Sequence, residues 1–198
     1  MKNLFKKSIL FVAIVATVAS YGSSPSAKGR KSDVKKTIIL LNNVKPGQQL
    51  LIKDYDDAVL YQETIESEGI YSKVFDLSIL PSGNYYFELE KDIEFNIIPF
   101  KVSSDKVEVF KEKENNLYKP FVRSKANKVY LSRMSLNEQP LKVNIYFDGV
   151  NGEELILSED IKNKRIVERI YTLDEHIKGL YKIVVSTEGK TFSYNVIL

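Results

Sequence analysis

The stretch from Phe75 to Leu89, FDLSILPSGNYYFEL, has a second version from Tyr171 to Val185, YTLDEHIKGLYKIVV. The two versions align when the sequence is shifted by 96 positions, and the aligned positions share apolar side chains and a Gly-x-Tyr. The matches are Phe75 with Tyr171, Leu77 with Leu173, Gly83 with Gly179, Tyr85 with Tyr181 and Phe87 with Ile183. Five matches at one spacing indicate an internal repeat.

The repeated stretch has the pattern of two β-strands joined by a loop. Phe75 and Leu77 alternate as the inward side of one strand, and Tyr85, Phe87 and Leu89 alternate on the next. The glycine between them predicts a turn conformation, with the tyrosine buried behind it. The chain is therefore predicted to hold two copies of one β module.

Length and composition agree with two small domains. The chain has 198 residues, of which 43% are hydrophobic, and its 12 Tyr and 10 Phe can supply a core for each module. There is no cysteine, so a disulfide framework and a thiolate metal site are both excluded.

The N-terminus has the pattern of a secretory signal peptide. Lys2, Lys6 and Lys7 precede an apolar run from Ile9 to Ala19, and small polar residues follow. This run is too short for a bilayer that needs about 20 residues, so no membrane span is expected after cleavage. We assign residues 1–20 to the signal peptide and 21–36 to a disordered leader, and we expect a secreted or periplasmic protein.

The net charge gives no support for nucleic-acid binding. The whole chain has 29 basic and 26 acidic residues, but three of the lysines belong to the signal peptide. The mature chain therefore has 26 of each sign. Nucleic-acid binding needs clustered Lys and Arg against phosphate, so nucleic acid is not an expected partner.

Strand-length apolar runs separated by turns at spacings of about 8 to 15 residues predict antiparallel sandwiches, with a first module at 37–102 and a second at 128–198. Before the turn at 148–153 the two copies align at a shift of about 91, and after it at 96.

The connecting segment 103–127 has two interpretations. It is either a flexible linker or a short strand pair, KVEVF with YKPFVR, that packs Phe110, Tyr118 and Phe121 between the modules. The three aromatic residues favour the strand pair.

The Leu-x-x-x-x-x-Gly-x-Tyr string resembles immunoglobulin-like and fibronectin type III-like β-sandwich modules of secreted bacterial proteins. This resemblance implies that Tyr85 and Tyr181 pack or hydrogen-bond near the start of the penultimate strand. VNIYFDGVNGEELIL, GLYKIVV and KTFSYNVIL are also similar to the sandwich modules that end many Bacteroidota secreted proteins, including the type IX sorting domain. The implied fold is all-β, with two tandem Ig-like antiparallel sandwiches after the signal peptide.

No catalytic or cofactor-binding residue is predicted. The chain's one histidine, His176, aligns with Leu80 and has no Gly-x-Ser-x-Gly context, and one histidine without cysteine cannot supply a zinc site. Acidic turns are the remaining site-like feature, because calcium takes oxygen ligands from such loops. The calcium candidates, weighed against ordinary solvated turns, are Asp54, Asp56, Asp57, Asp148 and Glu153.

The preferred interpretation is a non-enzymatic interaction or structural protein with an unknown protein or cell-envelope partner. A carbohydrate-binding module, which would bind polysaccharide, is one alternative, and it should expose two or three coplanar aromatic rings. A hydrolase is another, and it should show convergent carboxylates in a concave pocket. A sorting-like domain for type IX secretion is the third.

Overall fold

The structure is a computed structural model that describes residues 36–104, 106–150 and 152–198. The predicted signal peptide and all of the leader except Lys36 lie outside these residues. The described elements are β-strands and two short 3₁₀ helices, Leu77–Ile79 and Lys111–Lys113. Among the described residues no helix has the length and apolar character needed to cross a membrane. The prediction of an all-β sandwich fold is confirmed.

The first sandwich packs a two-stranded sheet against a larger one. Its strands are β1 Thr37–Val44, β2 Gln49–Asp54, β3 Val59–Thr64, β4 Gly69–Phe75, β5 Gly83–Glu90 and β6 Glu94–Val102. The small sheet pairs β1 with β4, and the large sheet has the order β3-β2-β5-β6, all antiparallel. Alternate side chains of both sheets form one hydrophobic core, which includes Ile39, Leu50, Phe87 and Phe100.

The second sandwich repeats this arrangement. Its strands are β10 Lys128–Met134, β11 Leu141–Gly149, β12 Gly152–Ile161, β13 Ile166–Thr172, β14 Leu180–Thr187 and β15 Lys190–Ile197. In its small sheet β10 pairs with β13, and its large sheet has the order β12-β11-β14-β15. A separate core forms between these sheets, with Leu131, Val143, Ile183 and Val185 among its members.

The strand pairings define which residues are equivalent in the two sandwiches. Thr37 pairs with Phe75 and Val129 with Tyr171, so the first strands are related by a shift of 92 rather than the expected 91. Leu50 pairs with Leu89 and Val143 with Val185, which gives 93 for the second strands. From β3 onward the shift is 96, because the β11–β12 hairpin is three residues longer. Hairpin loops accommodate such insertions at little free-energy cost.

The connecting segment forms strands, but they do not pair with each other. β7 (Val107–Val109) and β8 (Asn115–Tyr118) both pair with β6, and β9 (Phe121–Lys125) pairs with β10 of the second sandwich. The strand-pair hypothesis is therefore wrong in its partners. Each short strand instead pairs with the open edge of a neighbouring sheet, where unpaired backbone groups accept another strand. Phe110 and Tyr118 are half-buried, while Phe121 is 62% exposed.

A buried carboxylate joins the two sandwiches. Glu88 on β5 accepts hydrogen bonds from Lys53 of the first sandwich at 2.9 Å and from Lys190 of the second at 2.6 Å. The Nζ atoms of Lys190 and Lys119 also lie 4.2 Å and 4.6 Å from the centre of the Phe95 ring. A buried charge needs such partners to offset its lost hydration, so this cluster ties β15 to β5 and β6.

Candidate interaction surface

The repeated tyrosines make the same hydrogen bond in both sandwiches. The Tyr85 hydroxyl donates to the carbonyl oxygen of Pro81 at 2.8 Å, and the Tyr181 hydroxyl donates to that of Ile177 at 2.9 Å. Both rings are buried and both bonds span four residues. Each tyrosine therefore anchors the loop before its strand to the core, in the geometry of a tyrosine corner.

The repeated glycines occupy the same ladder position but differ in conformation. Gly83 pairs with Val102, and Gly179 exchanges two backbone hydrogen bonds with Leu198. Gly179 has a φ of +153°, a backbone angle that residues other than glycine rarely adopt. The φ of Gly83 is not positive. Of the two glycines, Gly179 thus has the positive φ, while Gly83 is the first residue of the extended strand β5.

The acidic turn of the first sandwich satisfies its own backbone. One carboxylate oxygen of Asp54 accepts hydrogen bonds from the backbone N–H groups of Asp56 at 3.0 Å and Ala58 at 2.9 Å. The Asp57 carboxylate accepts a hydrogen bond from the Tyr86 hydroxyl. These contacts are those of an aspartate-stabilised turn, a common local structure for this residue.

The acidic residues of the second turn lie across a hairpin from each other. Asp148 pairs with Glu153 in the β11–β12 ladder, and the Glu153 carboxylate accepts a hydrogen bond from Lys182 at 2.9 Å. The described residues contain no group of three or more His, Asp or Glu side chains placed to hold a metal ion. The calcium candidates therefore form no cluster of three or more ligands in this part of the chain.

The remaining expectations concern single residues. The exposed His176 lies in the loop before β14, where its backbone N–H donates to Asp174 at 2.9 Å. Two aromatic side chains are more than half exposed in the described part of the chain, Tyr55 and Phe121. They lie on different sandwiches, and Tyr55 meets Tyr86 edge to face at 88°. This is not the coplanar platform that a carbohydrate-binding module needs.

An ion pair bridges the two sheets at an open side of each sandwich. Glu63 on β3 pairs with Lys73 on β4, and Glu159 on β12 pairs with Arg169 on β13 at 2.8 Å. Both acids and both bases are related by the shift of 96. A tyrosine hydroxyl also donates to each acid, from Tyr61 in the first sandwich and from Tyr171 in the second.

These partners set the pKa values of the two acids. Burial alone raises the pKa of Glu63, but hydrogen bonds from Lys73 and Tyr61 outweigh it, so its pKa lies below the ordinary value. Burial likewise opposes the hydrogen bonds of Arg169 and Tyr171 at Glu159, and the pKa of Glu159 is again lowered. Both carboxylates are thus held ionised as structural bridges between sheets.

The outer face of each small sheet carries large exposed apolar side chains beside polar ones, which are Ser72 in the first sandwich and Ser132 and Glu168 in the second. Ile70 and Val74 of β4 point away from the core and are 72% and 51% exposed. At the equivalent positions of β13, Ile166 and Ile170 are 67% and 61% exposed. An antiparallel sheet with one wet face normally shows polar residues there.

Neighbouring strands extend these apolar faces. Ile38 lies opposite Val74 in the first sandwich, and Tyr130 lies opposite Ile170 in the second. Leu40 adds to the first face, while Met134 and Phe121 add to the second. Exposed apolar side chains clustered on one face in this way mark surfaces that other molecules cover. We refer to the two surfaces as the small-sheet faces.

The sequence analysis missed the small-sheet faces and the inter-sheet ion pairs, although the signal for both was present. Extending the 96-residue shift backward aligns GIYSKVF with RIVERIY, which places Lys73 on Arg169 and Ile70 on Ile166. Strand alternation from the buried Phe75 and Tyr171 then assigns the bases to the inward side and the isoleucines to the outward side.

Comparison with known proteins does not assign a family. No family model matches the sequence, and no curated protein matches it. A solved structure described as "Biofilm associated protein - BSP domain" is similar to 83% of this chain at 12% identity, with a TM-score of 0.27. The chain spans 27% of the length of that structure, and a similarity of this size does not establish a shared fold.

Proposed function

We propose that this chain is a non-enzymatic interaction protein of the bacterial cell envelope, which binds a protein partner through the small-sheet faces. The observation that supports this is the exposure of isoleucine and valine at equivalent outward positions of β4 and β13. A solvated sheet gains nothing from these side chains, whereas a protein interface buries them favourably at about 25 cal/mol per Å² of apolar surface.

We further propose that the two sandwiches are Ig-like modules, with boundaries at 37–102 and 128–198. The tyrosine corners of Tyr85 and Tyr181 and the shared strand order support this assignment. The signal-like N-terminus supports export, with cleavage between about Ala19 and Ser26. N-terminal sequencing of the exported protein tests this, and an intact Met1 contradicts it.

Affinity capture from envelope extract tests the interaction. The mature chain serves as bait beside two variants, Ile70→Thr with Val74→Thr and Ile166→Thr with Ile170→Thr. Threonine keeps the branched shape that suits a strand but removes apolar surface. We expect a discrete protein to be retained by the parent chain and lost from at least one variant.

A matched control replaces exposed apolar residues elsewhere. Val59→Thr with Leu60→Thr alters β3 of the large sheet and should retain the partner. Equal capture by all four baits contradicts the proposed surface. Sedimentation equilibrium measures whether the chain associates with itself. If the parent chain forms a dimer that only the small-sheet variants abolish, the faces bind a second copy of this chain instead of an envelope protein.

A further inference from the structure

The second sandwich contains an apolar cleft on its open side. The cavity has a volume of about 660 Å³ and lies between β12, β13 and the loop before β14. Buried Ile145, Leu173 and Tyr181 line it, and the more exposed Ile156 and Ile177 lie at its rim. This volume falls within the range of sites that bind small molecules.

The first sandwich carries a larger side chain at a position that lines the cleft of the second. In the first, the ring of Tyr61 packs edge to face against Phe75, with ring centres 5.4 Å apart. Leu157 takes the position of Tyr61 in the second sandwich, so the ring is missing there. Tyr171, which replaces Phe75, supplies the hydroxyl to Glu159 instead. The ion pair is thus kept while the ring volume is removed.

A second difference between the copies gives the cleft an aromatic wall. Phe147 takes the ladder position of Asp54, and its ring lies 5.0 Å from that of Tyr181. A Cβ atom on Gly179 would lie 2.9 Å from the Phe147 ring, so the ring can pack in this position only because residue 179 is glycine. Aromatic faces carry partial negative charge and attract cations, including alkylated ammonium groups.

The charges at the rim favour the same ligand. Exposed Glu154 and Asp174 both line the cavity. The Asp174 carboxylate accepts a hydrogen bond from the His176 backbone, which leaves its charge unneutralised. The nearby Arg169 is already paired with Glu159. Two carboxylates therefore line the cavity beside the Phe147 ring.

We propose that this cleft binds an alkylated ammonium group, of the kind carried by free choline or by a choline lipid headgroup. The cation lies against the Phe147 ring, which packs on the buried Tyr181, and Glu154 and Asp174 complement its charge. The alkyl substituents fill the volume that Tyr61 fills in the first sandwich. This binding does not depend on the proposed protein interaction, although Ile170 both lines the cleft and belongs to the second small-sheet face.

NMR of isoleucine methyl groups in the mature chain tests the proposal. Choline should shift Ile145, Ile156 and Ile177 but not Ile52, the residue equivalent to Ile145 in the first sandwich. The neutral isostere 3,3-dimethyl-1-butanol should bind at least threefold more weakly. Vesicles of phosphatidylcholine, compared with phosphatidylglycerol, test the lipid-borne group. Binding of either choline source, with weaker binding of the neutral isostere, supports the proposal, and binding of neither source overturns it.

The repeat supplies matched variants. Leu157→Tyr restores the ring of the first sandwich and should weaken choline binding at least tenfold, while Tyr61→Leu should leave it unchanged. Glu154→Lys changes an exposed side chain, so its fold should be retained while its positive charge repels the cation. Unchanged affinity in both Leu157→Tyr and Glu154→Lys, or equal binding of the neutral isostere, overturns the proposal.

Discussion

Replacing each of the two repeated glycines with alanine separates the effect of backbone conformation on stability from the effect of position in the strand ladder. Gly179→Ala puts a side chain on a residue with a φ of +153° and brings the new Cβ to 2.9 Å from the Phe147 ring. Gly83→Ala adds the same atom at an equivalent position, but its φ is not positive and the nearest atom, the Tyr85 hydroxyl oxygen, is 3.3 Å away.

The expected costs follow from these geometries. A side chain forced into a region that glycine alone populates costs about 1–3 kcal/mol, and displacement of the Phe147 ring adds about 1 kcal/mol. Gly179→Ala should therefore lower the free energy of unfolding by about 2–4 kcal/mol. Gly83→Ala should change it by less than about 1 kcal/mol, because alanine also reduces the entropy of the unfolded chain.

Urea unfolding followed by far-UV circular dichroism measures both changes in the free energy of unfolding. An unchanged slope of this free energy against urea concentration excludes a change in the unfolded state. Gly179→Ala should shift the midpoint clearly to lower urea, and Gly83→Ala should not. A loss in Gly83→Ala as large as that in Gly179→Ala would refute the conformational reasoning.

Three further predictions use the same unfolding assay. Tyr85→Phe and Tyr181→Phe should each cost about 1 kcal/mol, because each leaves a loop carbonyl without its donor, and no loss in either would contradict the tyrosine-corner role. Glu88→Gln removes the acid shared by Lys53 and Lys190 and should cost about 3 kcal/mol, whereas Glu90→Gln, at a more exposed pair, should cost less than about 1 kcal/mol; equal costs would count against the buried clamp. Because the pKa of Glu159 is lower in the folded chain than its ordinary value of 4.5, its ion pair stabilises the fold above that pH and the benefit is lost as pH falls through the folded pKa. Glu159→Gln should therefore flatten the acid side of the stability profile, and an unchanged profile would contradict the assignment.

The fold could be predicted from the sequence because the alternation of apolar and polar side chains and the residues of turns depend on short stretches of chain. The apolar runs from Ile38 to Phe100 and from Val129 to Leu198 contain the strands β1–β6 and β10–β15, with bounds that differ by a few residues. The 96-residue shift already related the equivalent strands from β3 and β12 onward, whereas the first two strands of each sandwich are related by shifts of 92 and 93. Side-chain period and turn chemistry are short-range properties, so a single sequence contains them.

The pairing of the connecting segment could not be predicted in this way. Whether Val107–Val109 pairs with Phe121–Lys125 or with β6 depends on which sheet edges remain open in three dimensions. The role of Glu88 was also hidden, because its partner Lys190 is 102 residues away and nothing in either strand indicates their contact. The cleft required the structure too, since it arises from the ring that Leu157 lacks.

Site-specific photo-crosslinking tests the proposed small-sheet interface most directly. The photoreactive residue p-benzoylphenylalanine replaces Val74 or Ile170 on the outer faces, or Leu60 on β3 as the control, and the mature chain is irradiated in envelope extract. The account predicts one discrete heavier band, containing a second protein, from position 74 or 170 and none from position 60. The same bands from all three positions, or from none, would contradict binding through the small-sheet faces.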